Sequence, residues 1–202
     1  MKEHWEKIYH TKSPTGVSWY TPHLANSLAL ILKTGIGKEA SIIDVGGGAS
    51  TLVDDLLEKG FCRVTVLDLS SQALAVSKSR LKTQSSDVKW IEGDITQTTL
   101  PENAYDLWHD RAVFHFLTRS EDRRKYIAVL EHALKPGGHV VMATFGINGP
   151  PKCSGLDVMR YSPNTLQSEL GKRFTMLESF MENHETPFQT KQEFTCCLFR
   201  KI

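Results

Sequence analysis

Ile42-Ile43-Asp44-Val45-Gly46-Gly47-Gly48-Ala49-Ser50-Thr51 has the pattern of a buried strand that runs into a glycine turn and then a helix. Apolar residues at 42, 43 and 45 suit a strand covered on both faces, as in a parallel sheet. The glycines let the backbone turn sharply and approach a ligand with no Cβ in the way. Ser50 or Thr51 can cap the following helix, in which Leu52, Val53, Leu56 and Leu57 recur at helical spacing. Such a helix directs its unpaired N–H groups at whatever occupies the turn. A crevice at the carboxyl end of a first strand is where open α/β sheets bind nucleotides.

The same residues discriminate between ligands. A dinucleotide pattern G-x-G-x-x-G begun at Gly46 needs glycine at position 51, where Thr51 stands; begun at Gly47 it fails on Ala49. What remains is an acid at the strand end followed by G-x-G: Asp44, Gly46, Gly48. A carboxylate close to the ligand suits a cationic cofactor and discourages a pyrophosphate.

This pattern resembles the first motif of class I S-adenosylmethionine-dependent methyltransferases, in which the loop cradles the methionine part of the cofactor. Ser50 stands at the usual third glycine. Further matches follow in order. Val64-Thr65-Val66-Leu67-Asp68 is a second apolar strand ending in a carboxylate, which can accept both ribose hydroxyls. Ser70 or Ser71 then caps a helix carrying Ala73, Leu74 and Val76. A third strand, Val88 to Glu92, leads into Gly93-Asp94-Ile95, which looks like the family's adenine-binding turn. A fourth strand follows at Tyr105-Asp106-Leu107-Trp108-His109, and Leu134 to Met142 resembles the helix-end turn before strand five. The resemblance thus implies cofactor contacts at Asp44, Gly46, Gly48, Asp68, Leu69, Asp94 and Ile95, with Trp19 and Tyr20 adding aromatic faces near a sulfonium.

The chain has 202 residues, 40% of them apolar and 23% charged, which suits one globular domain with a real core. The 24 basic and 23 acidic residues leave a net charge of +1 with no basic cluster, so no nucleic-acid partner is expected. No apolar run approaches a membrane span, and the first residues carry no signal-peptide core; the expectation is a cytoplasmic protein without membrane contact. Cys62, Cys153, Cys196 and Cys197 show no C-x-x-C spacing, and reduced thiols are expected. Cys196 and Cys197, adjacent in a strand, should face opposite sides.

Outward from the turn, residues 2–10 form a short amphipathic helix with Trp5, Ile8 and Tyr9 on one face, and Pro22 can start a second helix running to about Lys33. Glu121 to Leu134 has helical spacing, and strand five ends near Phe145. Gly146 to Tyr161 is a long irregular loop, Pro163 to Gly171 a last helix, and Phe174 to Phe180 and Glu193 to Phe199 two closing strands. The expected fold is α/β: a single Rossmann-like three-layer sandwich whose seven-stranded, mostly parallel sheet has one antiparallel strand near the edge. One domain spans 1–202, with an N-terminal helical lid segment at 1–37 and the Rossmann-like core at 38–202.

The resemblance implies that acceptor groups come from the N-terminal segment and from the loops after strands four and five. His109, Arg111 and His115 follow strand four and Cys153 follows strand five, so these four are the expected catalytic residues. A histidine can take a proton, and an arginine can hold an anionic acceptor. Cys153 is either a reactive or metalloid-binding thiol or an inert half-buried one. His184 could reach the same mouth. There is no repeated metal-ligand spacing, and no metal is expected. The implied activity is methyl transfer from S-adenosylmethionine, leaving S-adenosylhomocysteine, to a small molecule, with a thiol, sulfide or other soft nucleophile as the acceptor. The alternatives are a protein lysine methyltransferase, with Trp19, Tyr20 and Asp110 as its channel, or a nucleoside- or NAD-binding Rossmann protein. A monomer or weak dimer is expected.

Overall fold

The computed structural model describes residues 1–202. In chain order its helices are α1 Lys2–Thr11, α2 Ala25–Lys33, α3 Leu52–Glu58, α4 Ser71–Leu81, α5 Ser120–Ala133 and α6 Pro163–Leu170. Its strands are β1 Ser41–Val45, β2 Arg63–Asp68, β3 Val88–Glu92, β4 Tyr105–Arg111, β5 Leu134–Phe145, β6 Lys152–Cys153, β7 Leu156–Asp157, β8 Phe174–Glu185 and β9 Lys191–Lys201. Seven strands make one sheet in the order β3-β2-β1-β4-β5-β9-β8, and β6 and β7 form a separate two-stranded hairpin. β9 is the antiparallel strand, one place in from the β8 edge.

β1 pairs in parallel with β2 on one side and β4 on the other. The chain order reverses there, which opens a crevice at the carboxyl ends of β1, β2 and β4. Period-two alternation sorts side chains between the two faces of the sheet. Ile42, Val64, Val66 and Leu107 pack with Leu52, Val53 and Leu56 of α3, Leu30 and Ile31 of α2, and Leu74 of α4. Ile43, Val45, Leu67 and Trp108 pack on the other face with Tyr126 and Leu130 of α5 and Leu166 and Leu170 of α6. Cys196 and Cys197 fall on opposite faces, as their adjacency in a strand requires.

Some boundaries differ from the sequence expectation. α2 begins at Ala25, because Asp55 accepts the Leu24 N–H and pairs with His23, and so holds residues before Ala25 outside the helix. β5 already starts at Leu134; a register irregularity between Tyr105 and Leu107 of β4 absorbs the Pro-Gly-Gly segment. The segment 146–161 contains the β6–β7 hairpin, and β8 and β9 are longer than their apolar alternation indicates. The N-terminal segment is docked on the core: Ile8 and Val17 are buried, and α1 packs on α4. No helix is long and apolar enough to cross a membrane.

Candidate active site

The glycine turn is tight for reasons its neighbours supply. Gly46 has φ +73°, its N–H donates to the Leu67 carbonyl at 2.7 Å, and a Cβ there would stand 2.0 Å from Val113 Cγ2. A Cβ on Gly48 would meet Ala73 Cβ at 2.5 Å and Asp68 Oδ2 at 2.6 Å. The backbone therefore reaches the Asp68 carboxylate directly: Gly48 N–H donates to Oδ2 at 2.9 Å, and Ser70 N–H to Oδ1 at 2.8 Å. Burial pushes the Asp68 carboxyl up to about 6, against these two N–H donors, and Asp44 and Glu6 add to the rise.

The turn borders a cavity of about 230 Å³. Asp68, Leu69, Gly93, Asp94 and Ile95 line it on the β2–β3 side. Asp94 is held in its turn by the Thr96 N–H at 2.9 Å and the Thr96 hydroxyl at 2.7 Å. Phe116, Phe145, Cys153, Gln192 and Phe194 line the side toward β5 and β9. Trp5, Tyr9 and Trp19 come from the N-terminal segment; Trp19 packs edge to face with both Trp5 and Tyr9, and Trp5 stands 5.7 Å from Trp19 and 5.2 Å from Phe116 between ring centres. Burial, with Asp68 nearby, raises the Tyr9 hydroxyl above its usual value, so it stays protonated.

A smaller hollow of about 50 Å³ adjoins it and shares Tyr9, Trp19, Gly46 and Arg111. Tyr20 lines this hollow and not the larger cavity, together with Thr21, Asp44, Gly47 and His109. Asp44 Oδ1 pairs with His109 Nδ1 at 2.6 Å, and His109 Nε2 meets Ser27 Oγ at 2.9 Å. Asp44 Oδ2 is buried with no partner.

The four expected catalytic residues are not brought together. His109 and Arg111 share a face of β4, but both His109 nitrogens are engaged on Asp44 and Ser27, so it offers no base to the larger cavity. His115 is buried between Phe116 and Phe145 and does not line the cavity. Its Nδ1 accepts the Phe145 N–H at 3.2 Å, and burial, helped by Arg111, pushes the imidazole down to about 3. Arg111 does reach the wall, with Nη1 donating to the Trp19 carbonyl at 3.3 Å, Nη2 3.5 Å from Glu182, and the guanidinium 4.4 Å from the Phe194 ring centre. Cys153 also lines the cavity; burial pushes its thiol up to about 11 although Arg111 opposes the rise. Asp110 lies on the opposite face, where it accepts the Tyr126 hydroxyl at 2.5 Å. His184 donates through Nε2 to the Ser18 carbonyl at 2.8 Å, so it braces the N-terminal segment beside Arg111.

Phe116, Phe145, Gln192 and Phe194 had no sequence signal. Each lies in an apolar or polar run whose approach to the first turn depends on the order of the strands.

Two features fit a cofactor with a nucleoside and an ammonium group. Asp68 and Asp94 present carboxylates at successive strand ends along one cavity, and Asp44 Oδ2 is an anionic oxygen that the chain itself leaves without a donor.

Residues 43–142 match the family model described as a methyltransferase domain. Human EEF1A lysine methyltransferase 2 is 24% identical over 157 residues, which cover 71% of this chain and 66% of that protein. The chain thus spans two thirds or less of the curated relatives it matches first. A solved structure from work on conversion of a disulfide bond into a thioacetal group during echinomycin biosynthesis superimposes with a TM-score of 0.81 at 19% identity, over 100% of this chain and 93% of that one. The 1,6-didemethyltoxoflavin-N1-methyltransferase of Burkholderia thailandensis, solved with 1,6-didemethyltoxoflavin and S-adenosylhomocysteine, gives a TM-score of 0.73 at 18% identity, over 99% and 86% of the two chains. At these identities the two structures speak for the fold.

Proposed function

Since the chain belongs to the class I S-adenosylmethionine-dependent methyltransferases, we propose that it methylates a small molecule through a soft, thiol- or sulfide-type nucleophile. When bound, S-adenosylmethionine supplies an electrophilic methyl carbon. Asp68 and Asp94 hold the adenosine part, and the Gly46–Gly48 turn takes the amino-acid part. Trp5, Tyr9 and Trp19 close over the cavity and exclude water, which aligns the acceptor and leaves solvent unable to compete.

The observation that carries this reading is the wall toward β5 and β9, which is aromatic and presents no histidine; the carboxylates that line the cavity are Asp68, Asp94 and Asp122. Phe116, Phe145 and Phe194 form the wall with Cys153, whose thiol stays protonated, and with Arg111, whose guanidinium is paired with Glu182 and the Trp19 carbonyl. Both His109 nitrogens are engaged on Asp44 and Ser27; His115 accepts the Phe145 N–H through Nδ1, and its Nε2 is buried without a partner and outside the cavity lining. An alcohol or ammonium acceptor must lose a proton during transfer and would need a base on that wall. A thiolate or sulfide has its lone pair ready.

The second reading is a protein lysine side chain, favoured by the likeness to EEF1A lysine methyltransferase 2. Of the acidic or aromatic channel expected for it from Trp19, Tyr20 and Asp110, Trp19 lines the cavity, Tyr20 lines only the smaller hollow, and Asp110 faces Tyr126. Incubation with S-adenosylmethionine and a pooled set of thiols, sulfides, phenols, amines and lysine peptides, read by mass spectrometry, separates the two. Methylated thiols or sulfides support the proposal; methylated lysine peptides alone overturn it.

A further inference from the structure

We infer that His109 and Ser27 are positioning residues that set the Asp44 carboxylate to recognise the α-amino group of the cofactor. The inference rests on the cofactor reading above and assigns its specificity to residues of this chain.

Asp44 and His109 stand opposite each other in the β1–β4 pairing, so their side chains leave the sheet on the same face. Asp44, His109 and Ser27 are 1%, 1% and 6% exposed, and they form one line of hydrogen bonds from β1 through β4 to α2. When the Ser27 hydroxyl donates to Nε2, the ring proton lies on Nδ1 and is given to Asp44 Oδ1. The carboxylate is then fixed in rotation with Oδ2 left over.

That second oxygen has no partner anywhere in the chain. A buried anionic oxygen without a donor is costly, so it marks a place where a ligand donor belongs. Arg111 is the cation in the same hollow, and its guanidinium is directed to the Trp19 carbonyl and Glu182 instead. A Cβ on Gly47 would stand 2.2 Å from Oδ2, so glycine at 47 keeps the approach to that oxygen clear. The hollow joins the larger cavity at Gly46 and Arg111, where the amino-acid end of a nucleoside seated on Asp68 would extend. An ammonium group, with three donors, satisfies the lone oxygen.

The test compares S-adenosylhomocysteine with its desamino analogue by calorimetry, using the ratio of the two dissociation constants. The native protein should prefer S-adenosylhomocysteine by at least about tenfold, and His109→Leu should remove most of that preference. His109→Asn, whose amide can still donate to Oδ1, should keep the preference to within about threefold of native, and Ser27→Ala should lower it by about threefold. A variant that only disturbs the fold weakens both ligands alike and leaves the ratio intact; that result overturns the inference, as does a native ratio near one. Should His109→Leu not fold, Ser27→Ala decides, and an unchanged ratio there also overturns it. Native protein that binds neither ligand refutes the cofactor reading itself, a result distinct from binding without discrimination.

Discussion

Glu6 and Ser71 tie the N-terminal helix to the sheet core: the Glu6 carboxylate accepts the Ser71 N–H at 2.7 Å and the Ser71 hydroxyl at 3.2 Å. Its other oxygen takes the Gln72 N–H at 3.3 Å. A carboxylate from α1 thus serves N–H groups that the first turn of α4 cannot satisfy, at the positive end of that helix. Trp5 and Tyr9 flank Glu6 and line the cavity, so this contact anchors the part of α1 that forms the cavity wall.

Glu6→Ala should therefore loosen the cover more than the core. The expected loss is about 0.5–2 kcal/mol, the range for losing a helix cap. Hydrogen exchange in residues 2–20 should speed up in the variant and slow in the native protein when S-adenosylhomocysteine is added. Equal exchange in native protein with and without ligand would show a segment insensitive to the site.

Asp68 should make cofactor binding depend on pH. Burial raises its carboxyl to about 6, and only the ionised form can accept hydroxyl donors on both oxygens. Binding favours that form and lowers its pKa in the complex, so affinity falls as pH drops through about 6 and protons are released on binding near that pH. Calorimetry in buffers of different ionisation enthalpy reads the release. Asp68→Asn should lose the pH dependence and bind about ten- to a hundred-fold more weakly. A constant affinity between about pH 5 and pH 7.5 would place the ribose elsewhere.

Cys153 should act as part of the wall and not as a nucleophile. It is 5% exposed, and burial holds its thiol up at about 11. Cys153→Ser should keep turnover within about threefold, and alkylation should reach exposed Cys62 first, with Cys153 slower still when S-adenosylhomocysteine is present. Loss of all turnover in the serine variant would restore a chemical role for this thiol.

The sheet core was legible because its strands are short, apolar and closed by glycine or acidic residues in a fixed order. The family resemblance implies cofactor contacts at those strand ends; Gly46, Asp68, Leu69, Asp94 and Ile95 line the larger cavity, whereas Asp44 lines the smaller hollow and Gly48 meets Asp68 through its N–H. The acceptor side was less legible for a geometric reason. Whether a β4 residue faces the larger cavity, the smaller hollow or α5 depends on strand register, and no local pattern fixes that register. His109 lands opposite Asp44 and is absorbed by it, while its neighbour Asp110 turns to Tyr126 on the other face. His115 lies in a 3₁₀ turn that carries it under Phe116 and Phe145, away from the cavity wall. The aromatic wall was hidden for the same reason, since Phe145 and Phe194 meet only because β9 inserts beside β5.

The central claim, a cofactor site for S-adenosylmethionine at the β1 turn, is tested most directly by titrating the purified protein with S-adenosylhomocysteine and, separately, with NAD. The account predicts saturable binding of S-adenosylhomocysteine, weakened by Asp68→Asn, and no binding of NAD, because Thr51 stands where a dinucleotide turn needs glycine. Binding of NAD with no response to S-adenosylhomocysteine would contradict it.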